Sequence, residues 1–128
     1  MKLLLDTHIF FWLNEDASKL SKAVKEALSL KSNTWVLSVV SVWELQIKSQ
    51  IGKLALPAPL NEIVETNIKK NRLEILPVTL EHVLAVETLG QHHKDPFDRL
   101  IIAQAIVEDL TVISYDSIFS SYGVKLLN

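Results

Sequence analysis

Leu3-Leu4-Leu5-Asp6-Thr7 is the stretch on which the fold turns. A short, unbroken apolar run suits a strand covered on both faces, as in the centre of a parallel sheet. The run stops at Asp6, which sets a carboxylate at the strand's carboxyl end. Further along, residues 35–40 are apolar and rich in β-branched side chains, residues 73–78 and 111–114 repeat the pattern, and residues 124–127 read as an edge strand. Helical patterns fill the intervals. Residues 7–13 are apolar almost all round. Residues 21–30 are amphipathic, with Ala23, Val24, Ala27 and Leu28 expected inward. Ser41 is expected to open a helix running to about Gln50, with Gly52 as its stop. Residues 60–70 carry Ile63, Val64 and Ile68 on one face, Thr79 starts a further helix, and residues 96–110 form a strongly apolar one. Strands alternating with helices imply parallel crossovers. The expected fold class is α/β, a three-layer α/β/α sandwich with a mostly parallel central sheet, and residues 1–128 are expected to form one domain.

Composition narrows the function classes. The chain has 128 residues, 48% of them hydrophobic and only three glycines, which suits a packed globule rather than a disordered chain. A net charge of −2 gives no global basic footprint, so a polyanionic substrate would have to be drawn by local lysines and arginines or by bound cations. Cysteine is absent, so there is no disulfide framework. No apolar run approaches the ~20 residues of a membrane span, and Asp6 and His8 interrupt the opening apolar segment. The expectation is a cytoplasmic protein that does not contact the membrane.

Four acidic stations recur where strands end or helices begin: Asp6-Thr7, Ser41-Val42-Trp43-Glu44, Asp95-Pro96-Phe97-Asp98-Arg99 and Ser114-Tyr115-Asp116. Each has a local explanation. Ser41 and Glu44 have the spacing of a capping box, Asp95 with Pro96 after it reads as an N-cap, and Asp6 and Asp116 each precede a candidate helix. Taken together they have another. In an open parallel sheet the ligand crevice lies beyond the carboxyl ends of the strands. Carboxylates gathered there repel one another unless protons or a cation neutralise them. Oxygen ligands without cysteine suit Mg²⁺ or Mn²⁺, which can activate water and stabilise charge on a phosphoryl oxygen.

The ordered set of Asp6-Thr7 after a strand, Trp43-Glu44, the run from Asp95 through Phe97, Asp98, Arg99, Ile101, Ile102 and Gln104 to Ala105, and Ser114-Tyr115-Asp116 resembles the PIN-domain nucleases, with VapC-type toxins as the nearest likeness. The resemblance spans nearly the whole chain, and residues 93–105 are its most specific part. It implies a Mg²⁺- or Mn²⁺-dependent ribonuclease whose metal and catalytic residues are Asp6, Glu44, Asp98 and Asp116, with Asp95 as an auxiliary. It also implies products with 5′-phosphate and 3′-hydroxyl ends, a homodimer, and inhibition by an antitoxin protein lying over the site. Ser114 stands where many members have threonine, a departure that keeps the hydroxyl.

Thr7, Lys94, Arg99 and Ser114 are expected to meet the RNA substrate. Lys48 and Lys53 are also candidates for phosphate contact, but they read first as cations complementing a helix C-terminus. His8 is expected to cover a helix surface, His92 and His93 to be exposed loop residues with contact to RNA or metal as the alternative, and Phe10, Phe11 and Trp12 to lie mostly in the core. Two other readings stay open: a PIN-fold nuclease of RNA processing that is not a toxin, and a non-catalytic RNA- or protein-binding module. A phosphatase of the Asp-x-Asp type is disfavoured because the chain has Asp6-Thr7-His8.

Overall fold

The computed structural model describes residues 1–91 and 95–128. Five strands among them, β1 (Lys2–Leu5), β2 (Thr34–Ser38), β3 (Glu74–Leu76), β4 (Thr111–Ile113) and β5 (Lys125–Leu127), form one sheet in the order β3-β2-β1-β4-β5. Every pairing is parallel, so the α/β reading of the sequence is correct. The helices are α1 (Thr7–Glu15), α2 (Lys22–Ser29), α3 (Val39–Gln50), α4 (Leu60–Asn71), α5 (Leu80–Val86) and α6 (Pro96–Val107).

The leucine triplet does what its pattern requires. Leu3, Leu4 and Leu5 are all fully buried, and they alternate between the two faces of the sheet. Leu3 and Leu5 join Ile9, Phe10, Val24, Leu28 and Leu37 in one core layer. Leu4 joins Val36, Ile101, Ile102, Val112 and Phe119 in the other. Two helical layers therefore cover the sheet, with α1 and α2 on one side and α6 on the other.

The topology also locates the site. From central β1 the chain moves outward through β2 to β3, then returns to lay β4 and β5 on the opposite flank. The carboxyl ends of β1 and β4 thus flank the point where strand order reverses, where open parallel sheets leave a crevice. The Asp6 amide extends the β1–β4 ladder by donating to Ile113 O at 3.0 Å.

Some local expectations are corrected. Helix α3 begins at Val39, two residues before Ser41, because Ser38 is its cap: Ser38 Oγ accepts from the Val40 amide at 3.0 Å. Ser41 and Glu44 therefore form no capping box. Ala23 is exposed, leaving Val24 and Leu28 as the buried pair of α2. On α4, Ile63 and Asn67 face inward, while Ile68 is exposed and Val64 lines a surface groove. Asn67 fills that inward position by donating to Asn14 Oδ1 and to Ile63 O.

Candidate active site and metal centre

Beyond the ends of β1 and β4 lies a cavity of about 520 Å³. Asp6, Glu44, Asp95, Asp98 and Asp116 line it, together with Lys48 and His8, and Trp12 and Tyr115 form an aromatic wall. Each acid arrives on a different local device. Asp6 occupies the N-cap position of α1, yet its side chain makes no capping bond. Instead Asp6 Oδ2 accepts from Ser114 Oγ at 2.8 Å, across the β1–β4 switch point. Ser114 Oγ in turn accepts from the Asp116 amide at 3.0 Å, so one hydroxyl ties two acidic stations together.

Glu44 lies in the second turn of α3, on a buried stripe with Val40, Ser41 and Leu45. Its Oε2 meets Lys48 Nζ at 2.7 Å. Its Oε1 is buried and accepts no hydrogen bond from the described residues. Asp95 does cap α6, with Oδ1 accepting from the Phe97 and Asp98 amides at 2.9 and 3.2 Å. Asp98 falls in that first turn and is half-buried, less enclosed than the apolar residues around it suggest. Asp116 is exposed and caps the 3₁₀ segment Ser117–Tyr122 by accepting from the Ile118 amide.

Electrostatics follow from this placement. Burial pushes the Asp6 carboxyl above its ordinary value, and the nearby Glu44 charge adds to the rise. The Ser114 hydrogen bond, His8 and the Thr7 amide pull the other way without cancelling it. A buried carboxylate with a raised pKa and a neighbouring buried carboxylate oxygen without a partner both call for a cation. The donors are all oxygens, so the set suits Mg²⁺ or Mn²⁺. Among the described residues, no three such side chains close into a preformed cage. The acids share one cavity and remain apart.

The expected substrate-facing residues fare differently. Thr7 is buried and donates to Ser41 Oγ at 2.9 Å, and Ser114 is buried against Asp6. Both hydroxyls brace the site from behind. Arg99 donates to Gly90 O, Val86 O and Tyr122 Oη, and it is not part of the cavity wall. Lys94, His92 and His93 lie outside the described residues. Sequence reasoning underrated Lys48, whose signal was its position one turn after Glu44. It also missed Tyr115, which stacks on Trp12 with ring centroids 5.9 Å apart and accepts from the Ser21 amide. His8, expected on a helix surface, lines the cavity.

The family model described as the PIN domain matches residues 3–125. The chain belongs to the PIN-domain family. No curated protein matches it in sequence at a significant level. Its fold is similar to a VapBC2 complex from Rickettsia felis bound to a promoter DNA fragment, with 21% identity, a TM-score of 0.77, and coverage of 100% of this chain and 98% of that one. VapBC-1 from nontypeable Haemophilus influenzae is similar at 20% identity and TM-score 0.73, covering 100% and 98% of the two chains. The PIN-domain endonuclease Utp24 is similar at 20% identity and TM-score 0.56, covering 98% and 83%. At such identities the likeness is one of fold.

Proposed function

We propose that this PIN-domain protein is a divalent-metal-dependent endoribonuclease acting as the toxin of a toxin–antitoxin pair. The observation that carries the reading is the acid-lined cavity at the β1–β4 switch point, with Asp6 raised in pKa and Glu44 Oε1 unpartnered. Asp6, Glu44, Asp98 and Asp116 would hold Mg²⁺ or Mn²⁺, with Asp95 auxiliary because capping α6 already engages one of its oxygens. The bound ion would supply an activated water for attack on an RNA phosphodiester and charge stabilisation for the phosphoryl oxygens. Ser114 and Thr7 set the carboxylates from behind, and Trp12 and Tyr115 offer aromatic faces on which an unpaired base can stack.

Partner binding rests on a second surface. Helices α3 and α4 and the connection between them enclose a groove of about 980 Å³, lined by Val42, Leu54, Leu56, Ala58, Leu60 and Val64 among others. Such a groove suits the apolar face of a partner helix. The VapBC assemblies that share this fold support an antitoxin as that partner. The exposed Leu80, Val83 and Leu84 of α5 support a homodimer.

The deciding experiment is cleavage of a mixed RNA pool with mapped ends, with and without Mg²⁺ or Mn²⁺. Metal-dependent products with 5′-phosphate and 3′-hydroxyl ends are expected, and Asp6→Asn should abolish them while leaving the circular dichroism spectrum intact. Cleavage retained by Asp6→Asn, or undiminished in EDTA, would overturn the assignment.

A further inference from the structure

Lys48 is the only lysine or arginine among the described residues that line the acidic cavity. It sits in the last turn of α3, where a cation complements the helix C-terminus. Its ammonium instead reaches back one turn to Glu44 Oε2 at 2.7 Å. The Glu44 side chain is 6% exposed and that of Lys48 is 28% exposed, so the carboxylate is enclosed while the lysine borders the open cavity. An ammonium carries three N–H donors, so its ion pair with Glu44 leaves it able to meet a further anion.

The cavity has to admit a phosphodiester, yet five carboxylates line it. Among the described residues, Arg99 and Lys53 do not answer that need. The Arg99 guanidinium is directed at the carbonyls of Gly90 and Val86, outside the cavity wall. Lys53 is exposed and also absent from the wall. A phosphate entering beside Glu44 therefore meets the Lys48 ammonium. The carboxylate holds that ammonium in place, so its orientation is set before substrate arrives.

We infer that Lys48 is a substrate-contacting residue, its ammonium bridging Glu44 and a backbone phosphate of the bound RNA; the inference rests on the ribonuclease reading. It accounts for a lysine at the edge of an acidic, partly desolvated site better than helix capping does. Capping would leave the ammonium near the last carbonyls of α3 and give it no tie to a residue of the cavity.

The test uses a 5′-fluorescein-labelled, mixed-sequence single-stranded RNA, with binding followed by anisotropy in Mg²⁺ on an Asp98→Asn background. Lys48→Met keeps the alkyl stem and removes the charge. It should weaken binding roughly tenfold, as expected for one charge-assisted contact. The log–log salt dependence should become shallower by about 0.7, one phosphate contact on a single strand. Lys48→Arg should keep the parent slope, and Lys53→Met should change neither quantity. If Lys48→Met fails to fold, Lys48→Gln carries the same expectation.

Calorimetric titration with Mn²⁺ separates the rival role. Metal affinity of Lys48→Met should be no weaker than that of its parent, since a competing cation has gone. An unchanged RNA affinity and salt slope, with weakened Mn²⁺ binding, would overturn the inference and leave Lys48 as a support for Glu44 alone. Metal-dependent cleavage by the unsubstituted protein is the control for the underlying reading. If that control cleaves RNA while Lys48→Met binds like its parent, only the lysine assignment falls.

Discussion

Asp6 is held under opposing demands that make its charge state sensitive to what occupies the cavity. Burial and the Glu44 charge raise its pKa, while Ser114, His8 and the Thr7 amide lower it. Because the folded value lies above the unfolded reference of 3.8, the folded protein binds a proton more tightly than the unfolded chain does. That contribution to stability is fully present below the unfolded value and is lost as pH rises through the folded one. The metal-free protein should therefore lose stability relative to Asp6→Asn as pH rises from 3.8 toward neutrality. Thermal melts of both proteins in EDTA across that range check the sign, and a constant difference would refute it. Added Mn²⁺ should raise the melting temperature of the unsubstituted protein and have little effect on Asp6→Asn. Ser114→Ala removes the hydroxyl that Asp6 Oδ2 accepts from, and should cost roughly tenfold or more in Mn²⁺ affinity by titration.

At the scale of elements, the acidic stations divide by what their oxygens do. Asp95 and Asp116 cap the segments that follow them. Asp6 and Glu44 cap nothing, and they are the two that are buried. The start of α3 decides the second case. With Ser38 as cap, Glu44 falls past the first turn, so its carboxylate is not drawn back to a cap amide. Ser38→Ala should cost about 1 kcal/mol through the lost cap. Ser41→Ala should destabilise through a different route, by leaving the buried Thr7 hydroxyl without its acceptor, at about 1–3 kcal/mol. Urea denaturation of the single variants and of the pair with Thr7→Val separates the two. The Ser41 cost should largely vanish in the Thr7→Val background, and the Ser38 cost should persist.

That serine pair also marks how far the sequence could be read. Leu3-Leu4-Leu5 announced a central strand because burial on both faces leaves no polar alternation, and its end located Asp6. Ser38 and Ser41 are both cap-type residues beside one strand, and nothing local chooses between them. The choice is tertiary: residues 34–38 extend along β1 and β3, and Ser41 is claimed by Thr7 from another element. The inward role of Asn67 likewise depends on Asn14 across the helical layer, which periodicity along α4 does not contain. That the acids line one cavity was legible because each follows a strand or opens a helix at the carboxyl edge of the parallel sheet, where such folds leave a crevice. Lys48 was harder, since an i, i+4 pair on a helix is most often a solvated surface pair. Only the burial of Glu44 sets it apart.

Across the whole molecule, α3 joins two surfaces that the proposed function needs. Glu44 and Lys48 face the acidic cavity, while Val42, Gln46 and Ser49 line the apolar groove shared with α4. A partner helix seated in the groove would lie against the same helix that carries Glu44 and Lys48 into the acidic cavity, so one binding event can cover the apolar surface and obstruct the cavity. The two faces should nevertheless be separable by substitution. Val64→Glu puts a charge into the groove on α4, away from every residue of the acidic cavity. RNA cleavage by the isolated Val64→Glu protein should stay within about twofold of the parent, as for a partly exposed position outside the site. Capture by the proposed antitoxin partner, measured by co-purification and by rescue of RNA from cleavage, should fall sharply because a buried charge would face apolar side chains. Loss of cleavage together with loss of capture would mean that the groove and the cavity act as one surface, and the division of α3 into two faces would fail.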